Sequence, residues 1–417
     1  MSKVRTRSPL SRRAGASPGH DPVVIAGCGP AGAVLALYLA RREIPVLVLE
    51  REPSLPMDLR ASTFHPPTLE MLNDLGIAAP MIAKGLIVDR YQYRDRRSGE
   101  VAEFDMSVIG DDTRFPYRLQ LEQYELTQLA ARVLEGLAGA ELRYSHEVSG
   151  FSQDADGVTV EAATPRGTER LRASYLVGAD GASSRVRKAA GIEFAGFTYE
   201  EKFLVVSTDF PFEAVFDDLS WVNYIADPEE WCVLLRTDKA WRVLWPTDPE
   251  CPDPSFYLGD DHLRERLRRL HDSGGDYRIR HRCLYDVHQR VAETYCKGRV
   301  ALVGDAGHIN NPLGGMGMNG GIHDAVNLGA RLEDIVRGRA GAADSLALYD
   351  RQRRGLAVRF IQEHTIANKA LMESTDPDLQ RRRQRDFMEI AADPVRARAF
   401  VRERAMIDCV RESYAVA

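Results

Sequence analysis

Three separated stretches of this sequence carry residue types whose spacing suits a phosphorylated, polyhydroxylated ligand. The first is Gly27-Cys28-Gly29-Pro30-Ala31-Gly32, which fits the pattern G-x-G-x-x-G. In such a pattern the first glycine lets the chain turn tightly, the second lets the backbone approach a pyrophosphate, and the third lets the following helix pack closely on a sheet. The helix that follows from Ala31 presents unpaired N–H groups and the positive end of its dipole to the phosphate charge. Glu50, about 20 residues further on, offers a carboxylate to a ribose diol, with Arg51 beside it. A bare glycine turn without a ligand is the plainer reading, and the motif alone leaves FAD and NAD both open.

The second stretch is YLVGADGASSRVR (residues 175–187), with Asp180 at its centre. The third is GRVALVGDAGH (residues 298–308), in which Asp305 follows a buried strand and is poised for a polyol. Either aspartate also fits an ordinary turn or cap. Behind them, NPLGGMGMNGG (residues 311–321) is too rich in glycine for a helix start without a reason, and close backbone approach to a planar ring is such a reason.

The elements that must position these residues are legible from pattern. VVIAG from Val23 reads as a buried strand, residues 31–42 as a helix and VLVLE from Val46 as a second strand, which makes a βαβ unit. Helices are expected over 67–75 and 121–137 and from about Met318; strands over 158–162, 171–177 and 299–303. Between Phe203 and Pro246 the pattern turns to short aromatic β-type runs, and WCVLLR and WRVLWP, joined by residues 237–240, look like a hairpin. After Ser345 the chain is helical and charged, and Arg381, Arg382 and Arg383 are read as a solvated face.

The expected fold is α/β: a Rossmann-like dinucleotide-binding domain, an interleaved antiparallel-sheet domain and C-terminal helices. The expected boundaries are a disordered basic tail over 1–20, a discontinuous nucleotide-binding domain (21–83, 117–195, 285–345), a substrate-binding β domain (84–116, 196–284) and a helical segment over 346–417.

Composition narrows the function. A net charge of −6 over 417 residues supplies no field for a polyanion, so nucleic acid is not expected as a partner. The six cysteines show neither metal-ligand spacing nor a disulfide framework, so no metal site is expected and a reducing cytoplasm is the natural home. The longest apolar stretch, 23–49, is broken by glycines and charges, and no membrane span is expected. The match of Gly15-Ala-Ser-Pro-Gly19 to the hydrolase pattern G-x-S-x-G lies in the basic tail with no strand before it and is read as chance.

With the fingerprints at 27–32, 175–187 and 298–308 in this order, the chain resembles the class A flavoprotein monooxygenases of the para-hydroxybenzoate hydroxylase type over about residues 21–350. The resemblance implies FAD as cofactor, with Asp305 on the flavin ribityl chain and Asp180 serving flavin and pyridine nucleotide. Pro312 would lie beside the isoalloxazine, with Gly315, Met316, Gly317, Met318 and Asn319 continuing that loop. Arg60 and Gln123 match cofactor-contacting positions, although Gln123 also suits an exposed helix residue; Val148 would offer its backbone to the adenine. Gly307 departs from the alanine common in the family, which removes no catalytic group.

The activity this implies is hydroxylation of an electron-rich aromatic, phenolic or N-heteroaromatic, with NADH or NADPH reducing FAD transiently and O2 adding at flavin C4a as a hydroperoxide. A flavin oxidase or reductase on the same fold, or a non-catalytic FAD-binding protein, is the alternative, and a monomer or homodimer is expected. Period-2 alternation groups Trp231 with Val233 and Leu235, and Trp241 with Val243 and Trp245; one such face would hold a planar substrate unless these are plain core aromatics. Tyr224 and Arg236 are polar candidates for a phenol or carboxylate. No general base can be chosen from the sequence.

Overall fold

The computed structural model describes residues 21–57, 59–251, 253–274, 277–373 and 376–417; the basic tail of residues 1–20 lies outside them. Strand Val23–Ala26 is buried along its length and lies between Tyr175–Gly178 and Val46–Leu49 in a sheet ordered Cys296–Lys297, Val300–Leu302, Tyr175–Gly178, Val23–Ala26, Val46–Leu49, Ala140–Arg143. All neighbours pair in parallel except the edge strand Cys296–Lys297. Burial on both faces explains why these strands read as continuous apolar runs rather than alternating ones.

Helix Pro30–Ala40 is apolar all round because it is covered all round: it packs on the sheet, on helix Gln123–Glu135 and on helix Met316–Val336. The expected helix over 67–75 is present as Pro66–Asp74. A three-stranded antiparallel meander, Glu147–Gln153, Val158–Thr164 and Gly167–Ala173, leads back into the parallel sheet at Tyr175.

The second large sheet has eight strands, and its two longest, Phe194–Thr208 and Ile279–Ala292, pair antiparallel along most of their length. The latter runs unbroken across position 285, where the sequence suggested a boundary. The expected hairpin is present, Cys232–Arg236 against Trp241–Pro246, with Thr237 N donating to Ala240 O across the turn. One pair departs from the antiparallel arrangement: Val222–Ala226 runs parallel to Arg90–Asp95. These strands belong to segments more than 100 residues apart in the chain, so no short hairpin forces their directions to oppose.

Register separates the aromatic residues of this sheet. Val233 faces Leu244 and Leu235 faces Arg242, whereas Trp241 pairs with Arg236 and Val243 with Leu234. Trp231, Val233, Leu244 and Tyr224 therefore share one core, and Trp241, Val243 and Trp245 share another on the opposite face with helix Asp260–Leu270.

The C-terminal helices do more than present charge to solvent. Helix Pro377–Ala392 packs on strands Arg90–Asp95 and Val101–Asp105, while Phe400 stacks on Phe104 with ring centroids 4.5 Å apart. Arg398 and Arg411 from the last two helices converge on the buried carboxylate of Asp112 at 2.8 and 3.0 Å. Arg381 and Arg382 are exposed, as a solvated face requires, but Arg383 turns inward and donates to Ala370 O and Leu371 O, the last carbonyls of helix Glu363–Met372.

Two buried ion pairs tie these layers together. Arg242, on the inner face of the eight-stranded sheet, donates to both carboxylate oxygens of Glu122 at 2.9 and 3.1 Å and to Arg60 O at 3.0 Å. Arg353 donates to Asp324 at 2.7 Å, and the other Asp324 oxygen accepts from Gly304 N and His308 Nε2, both at 3.1 Å. Burial alone would raise the Asp324 pKa, but Arg353 and His308 overcome it and hold the carboxyl at about 2. The pairing thus stabilises the fold above the ordinary carboxylate range, and its contribution is lost as pH falls toward about 2. Asp324→Asn leaves Arg353 buried without its counter-ion; a loss of about 3–5 kcal/mol is expected in denaturant unfolding at pH 7, shrinking as the measurement is repeated toward pH 3.

Candidate active site

Glycines stand where the three fingerprints touch. A Cβ on Gly27, whose φ is +96°, would lie 2.5 Å from Ala179 O of the second fingerprint, and a Cβ on Gly32 would lie 2.1 Å from Gly27 O. A Cβ on Gly304, at φ +59°, would stand 3.1 Å from Ala31 Cβ, and one on Gly321 only 2.8 Å from Gly304 Cα. Backbones thus meet where side chains would hold them apart.

Gly29 is the exception. It caps helix Pro30–Ala40 in an extended conformation without a side-chain cap, the first turn carries no acid, and a Cβ there would meet nothing within 4 Å. The space lies directly before an uncapped helix N-terminus, the environment a pyrophosphate requires. Glu50 is buried and oriented: Oε2 accepts from Cys28 N at 2.8 Å and Oε1 from Glu52 N at 3.0 Å. Arg51 lines an adjoining groove of about 410 Å³ with Glu52, Ser145 and Glu147, next to Val148 in the meander.

Asp305 follows strand Val300–Leu302, and its side chain is exposed although the strand and its neighbours are buried. It faces a cleft inside the molecule, where enclosure pushes its pKa up and the positive charges of His308 and Arg60 oppose that rise. Arg60 and Asp305, 245 positions apart, are thereby brought together. Gln123 opens its helix beside them, its N–H donating to Ala61 O at 3.0 Å.

In the glycine loop, Gly314 and Gly315 take φ of +101° and +68°, and Gly315 precedes helix Met316–Val336 without a side-chain cap. Gly315 N donates to Pro312 O at 3.0 Å inside the turn, so the backbone N–H groups left available are those of Gly317 and Met318, next to the half-buried Pro312.

Several expected roles change. Asn319 is wholly used by the fold: Oδ1 accepts from His65 N and Thr68 Oγ1, and Nδ2 donates to Thr63 O and Gly315 O. Met316 is core, packed with Leu356 and Ile361. For both residues only the backbone remains for a cofactor. Asp180 accepts from Ser184 Oγ at 2.5 Å and from Arg185 N and Val186 N, so it supports the N-cap Ser184 at the start of helix Arg185–Ala189, where the first N–H groups need acceptors. Trp245 lies on the sheet face turned away from Arg242 and the cleft, under the guanidinium of Arg266, and Arg236 shares that register; only Tyr224 and Trp231 lie on the inner face. Alternation along each strand placed these residues correctly, but the antiparallel register put the two strands' tryptophans on opposite faces.

The feature missed from sequence is Arg118. It is 3% exposed, its guanidinium lies 4.2 Å over the Tyr91 ring, and it interacts with Tyr224. Its Nε has no hydrogen-bond partner, and no carboxylate among the described residues forms an ion pair with it. The available signal was a charged residue inside the short buried strand Arg118–Gln120. Next to it, His65 donates from Nε2 to Gly314 O at 2.8 Å, since a carbonyl only accepts; burial and the charge of Arg118 push its pKa down to about 3, so the ring is neutral.

The cleft therefore has an uncapped helix end for a pyrophosphate, an oriented carboxylate for a ribose, a second carboxylate for a polyol and a glycine turn for a flat ring. These fit FAD. A family model described as an FAD binding domain matches residues 20–364. The chain belongs to the class A FAD-dependent aromatic monooxygenases. It is 34% identical over 386 residues to para-nitrophenol 4-monooxygenase of Pseudomonas sp. strain WBC-3, covering 91% of this chain and 94% of that protein. It is 31% identical to 6-hydroxy-3-succinoylpyridine 3-monooxygenase of Pseudomonas putida, over 83% of this chain and 87% of the relative. The crystal structure of p-nitrophenol 4-monooxygenase from Pseudomonas putida DLL-E4 superposes with a TM-score of 0.86 at 32% identity, covering 92% and 96% of the two chains.

For a monooxygenase of this family the Gly29 geometry separates binding from folding. Gly29→Ala is expected to keep the thermal stability of the apoprotein and to weaken FAD at least about tenfold, read by flavin fluorescence titration. Gly32→Ala, whose methyl group collides with Gly27 O, is expected to lower the apoprotein's melting temperature.

Proposed function

We propose that this monooxygenase hydroxylates a small phenol held as its phenolate, with Arg118 as the anion's partner. The observation that carries the reading is the buried guanidinium, which has no carboxylate partner among the described residues. A cation enclosed by tyrosines and apolar side chains is costly unless an anion completes it, and a planar fork beside aromatic rings suits an aromatic oxyanion. The two sequence relatives named above act, by their names, on a nitrophenol and a hydroxypyridine, both ring systems with an acidic hydroxyl. Ionised oxygen on the ring makes the ring carbons more nucleophilic, so a pocket that favours the anion also favours attack on an electrophilic oxygen.

Bound FAD supplies oxygen activation with electrons from NADH or NADPH, which we read as a transient visitor because the nucleotide-binding elements of the fold are taken up by FAD. In this reading Gly27, Gly29 and Gly32 with Glu50 hold the adenosine diphosphate half, while Asp305, Arg60 and Gln123 hold the ribityl side. The N–H groups from Met316 to Asn319, at the helix start that follows Gly315, face the ring and stabilise negative charge on it. Arg51, Val148 and Pro312 border the two ends. Tyr224 and Tyr91 flank Arg118 and fix the plane of the substrate, and the inner face of the eight-stranded sheet excludes water from the reacting atoms. The flavin-binding unit and the sheet that roofs it are the two functional units of the chain.

With labelled O2, one labelled oxygen atom is expected in the phenolic product, and NAD(P)H oxidation is expected to accelerate when a phenol is added. Arg118→Met is expected to retain FAD while kcat/KM for acidic phenols falls about 10–100-fold, the worth of a hydrogen bond to a charged group. Unlabelled product, or an Arg118→Met enzyme with undiminished kcat/KM, would overturn the reading.

A further inference from the structure

The edge of the inner sheet face is finished by a helix from the far end of the chain. Tyr224 stacks on Tyr93 with centroids 4.9 Å apart and planes 17° from parallel, and Tyr93 stacks on Phe387 of helix Pro377–Ala392 at 4.2 Å and 17°. Three rings thus run in series outward from Arg118, which interacts with the first of them. The helix is fastened in this position: Gln384, buried in the contact, donates from Nε2 to Tyr93 O and to Glu100 O, both at 3.1 Å, bridging the loop that joins the two edge strands.

A cavity of about 20 Å³ remains between Tyr93, Tyr224, Leu371, Met372, Gln384 and Phe387. That is room for about one water molecule. Leu371 and Met372 end helix Glu363–Met372, whose Asn368 donates to Leu313 O of the glycine loop at 3.3 Å. The cavity therefore lies where three parts of the chain meet: the loop at the flavin ring, the inner sheet face, and the C-terminal helix. A ligand whose oxyanion sits on Arg118 beside Tyr224 has its outer end facing this junction.

We propose that Phe387, carried by the C-terminal helix, is a specificity-determining residue that forms the outer wall of the substrate chamber and restricts it to single-ring phenols. The proposal rests on the phenolate reading above. Sequence patterning read Arg381, Arg382 and Arg383 of this helix as a solvated face, and the exposed Arg381 and Arg382 fit that reading. Its other face, Gln380, Gln384, Phe387 and Ala391, repeats at helical spacing and is turned to the inner sheet face and the small cavity beside Tyr224. An aromatic ring is a rigid, space-filling closure, and removing it opens a ring-sized gap rather than a flexible one.

The test is ligand binding to the FAD-loaded full chain, read as the change in flavin absorbance on titration with 4-chlorophenol and with 2-naphthol. Phe387→Ala is expected to shift the ratio of the two dissociation constants at least about tenfold toward 2-naphthol, and Phe387→Leu by less. Val395→Ala, on the exposed face of the neighbouring helix Pro394–Arg404, is expected to leave the ratio unchanged. If Phe387→Ala does not hold FAD, Phe387→Trp carries the test through the opposite outcome, weaker binding of 4-chlorophenol than in the native protein. A native protein that binds 4-chlorophenol, with a ratio unmoved in every Phe387 variant, overturns the wall and leaves the phenolate reading standing. A native protein whose flavin responds to neither phenol overturns the phenolate reading and the wall with it.

Discussion

Backbone approaching backbone, at positions where no Cβ is tolerated, is the constraint on which the rest of this molecule depends. The first fingerprint touches the second at Gly27 and the third through Ala31 and Gly304, and Gly321 brings the long helix behind the glycine loop onto the same point. A methyl group at Gly27, Gly32 or Gly321 would have to displace main chain, which yields far less readily than the end of a flexible side chain. Each contact brings a turn of one element to the end of another, so the groups a dinucleotide needs converge in one cleft. Gly29, alone among the three motif glycines, is not needed by the protein's own packing, which is why we propose that it serves the ligand.

Around that point, buried ion pairs set the distance between layers. Asp324 receives the Gly304 N–H and the Arg353 guanidinium at once, so the third fingerprint is coupled to the helices that follow it. Arg242 does the same between the eight-stranded sheet and the Arg60 segment. Both guanidiniums have a carboxylate. Arg118, equally buried, lacks one among the described residues, and this contrast is the ground on which we propose it as the partner of a ligand anion.

The C-terminal helices alter the picture of the chamber. A roof made by the sheet alone would leave Tyr93 and Phe104 open at its edge. Phe387 and Phe400 cover them, and Asp112 gathers Arg398 and Arg411 to hold the cover in place. The substrate chamber we propose would thus draw on residues near 90–120, 200–245, 313 and 370–390, with no single segment enclosing it.

The sequence by itself determined the βαβ core, the three fingerprints and their order, the glycine loop, and hence FAD and the family. These are local or periodic signals: a tight turn needs glycine, a buried parallel strand needs an apolar run, and both are written over a few consecutive residues. Tertiary structure alone decided which side chains the cleft uses. Asn319 and Met316 stand inside the motifs yet have their side chains taken up by hydrogen bonds and packing, because the partners that claim them are tens to hundreds of residues distant, and the partly exposed Asp180 also serves the helix start beside it. Trp245 and Arg236 were lost to the far face by the register between two strands, which alternation within one strand cannot specify. Arg118 and Phe387 became visible only once folding showed that one had no counter-ion among the described residues and the other closed a stack of rings. Motif chemistry survives in one dimension because it is built from backbone, whereas pairing and enclosure are properties of neighbours that the chain brings together only in three.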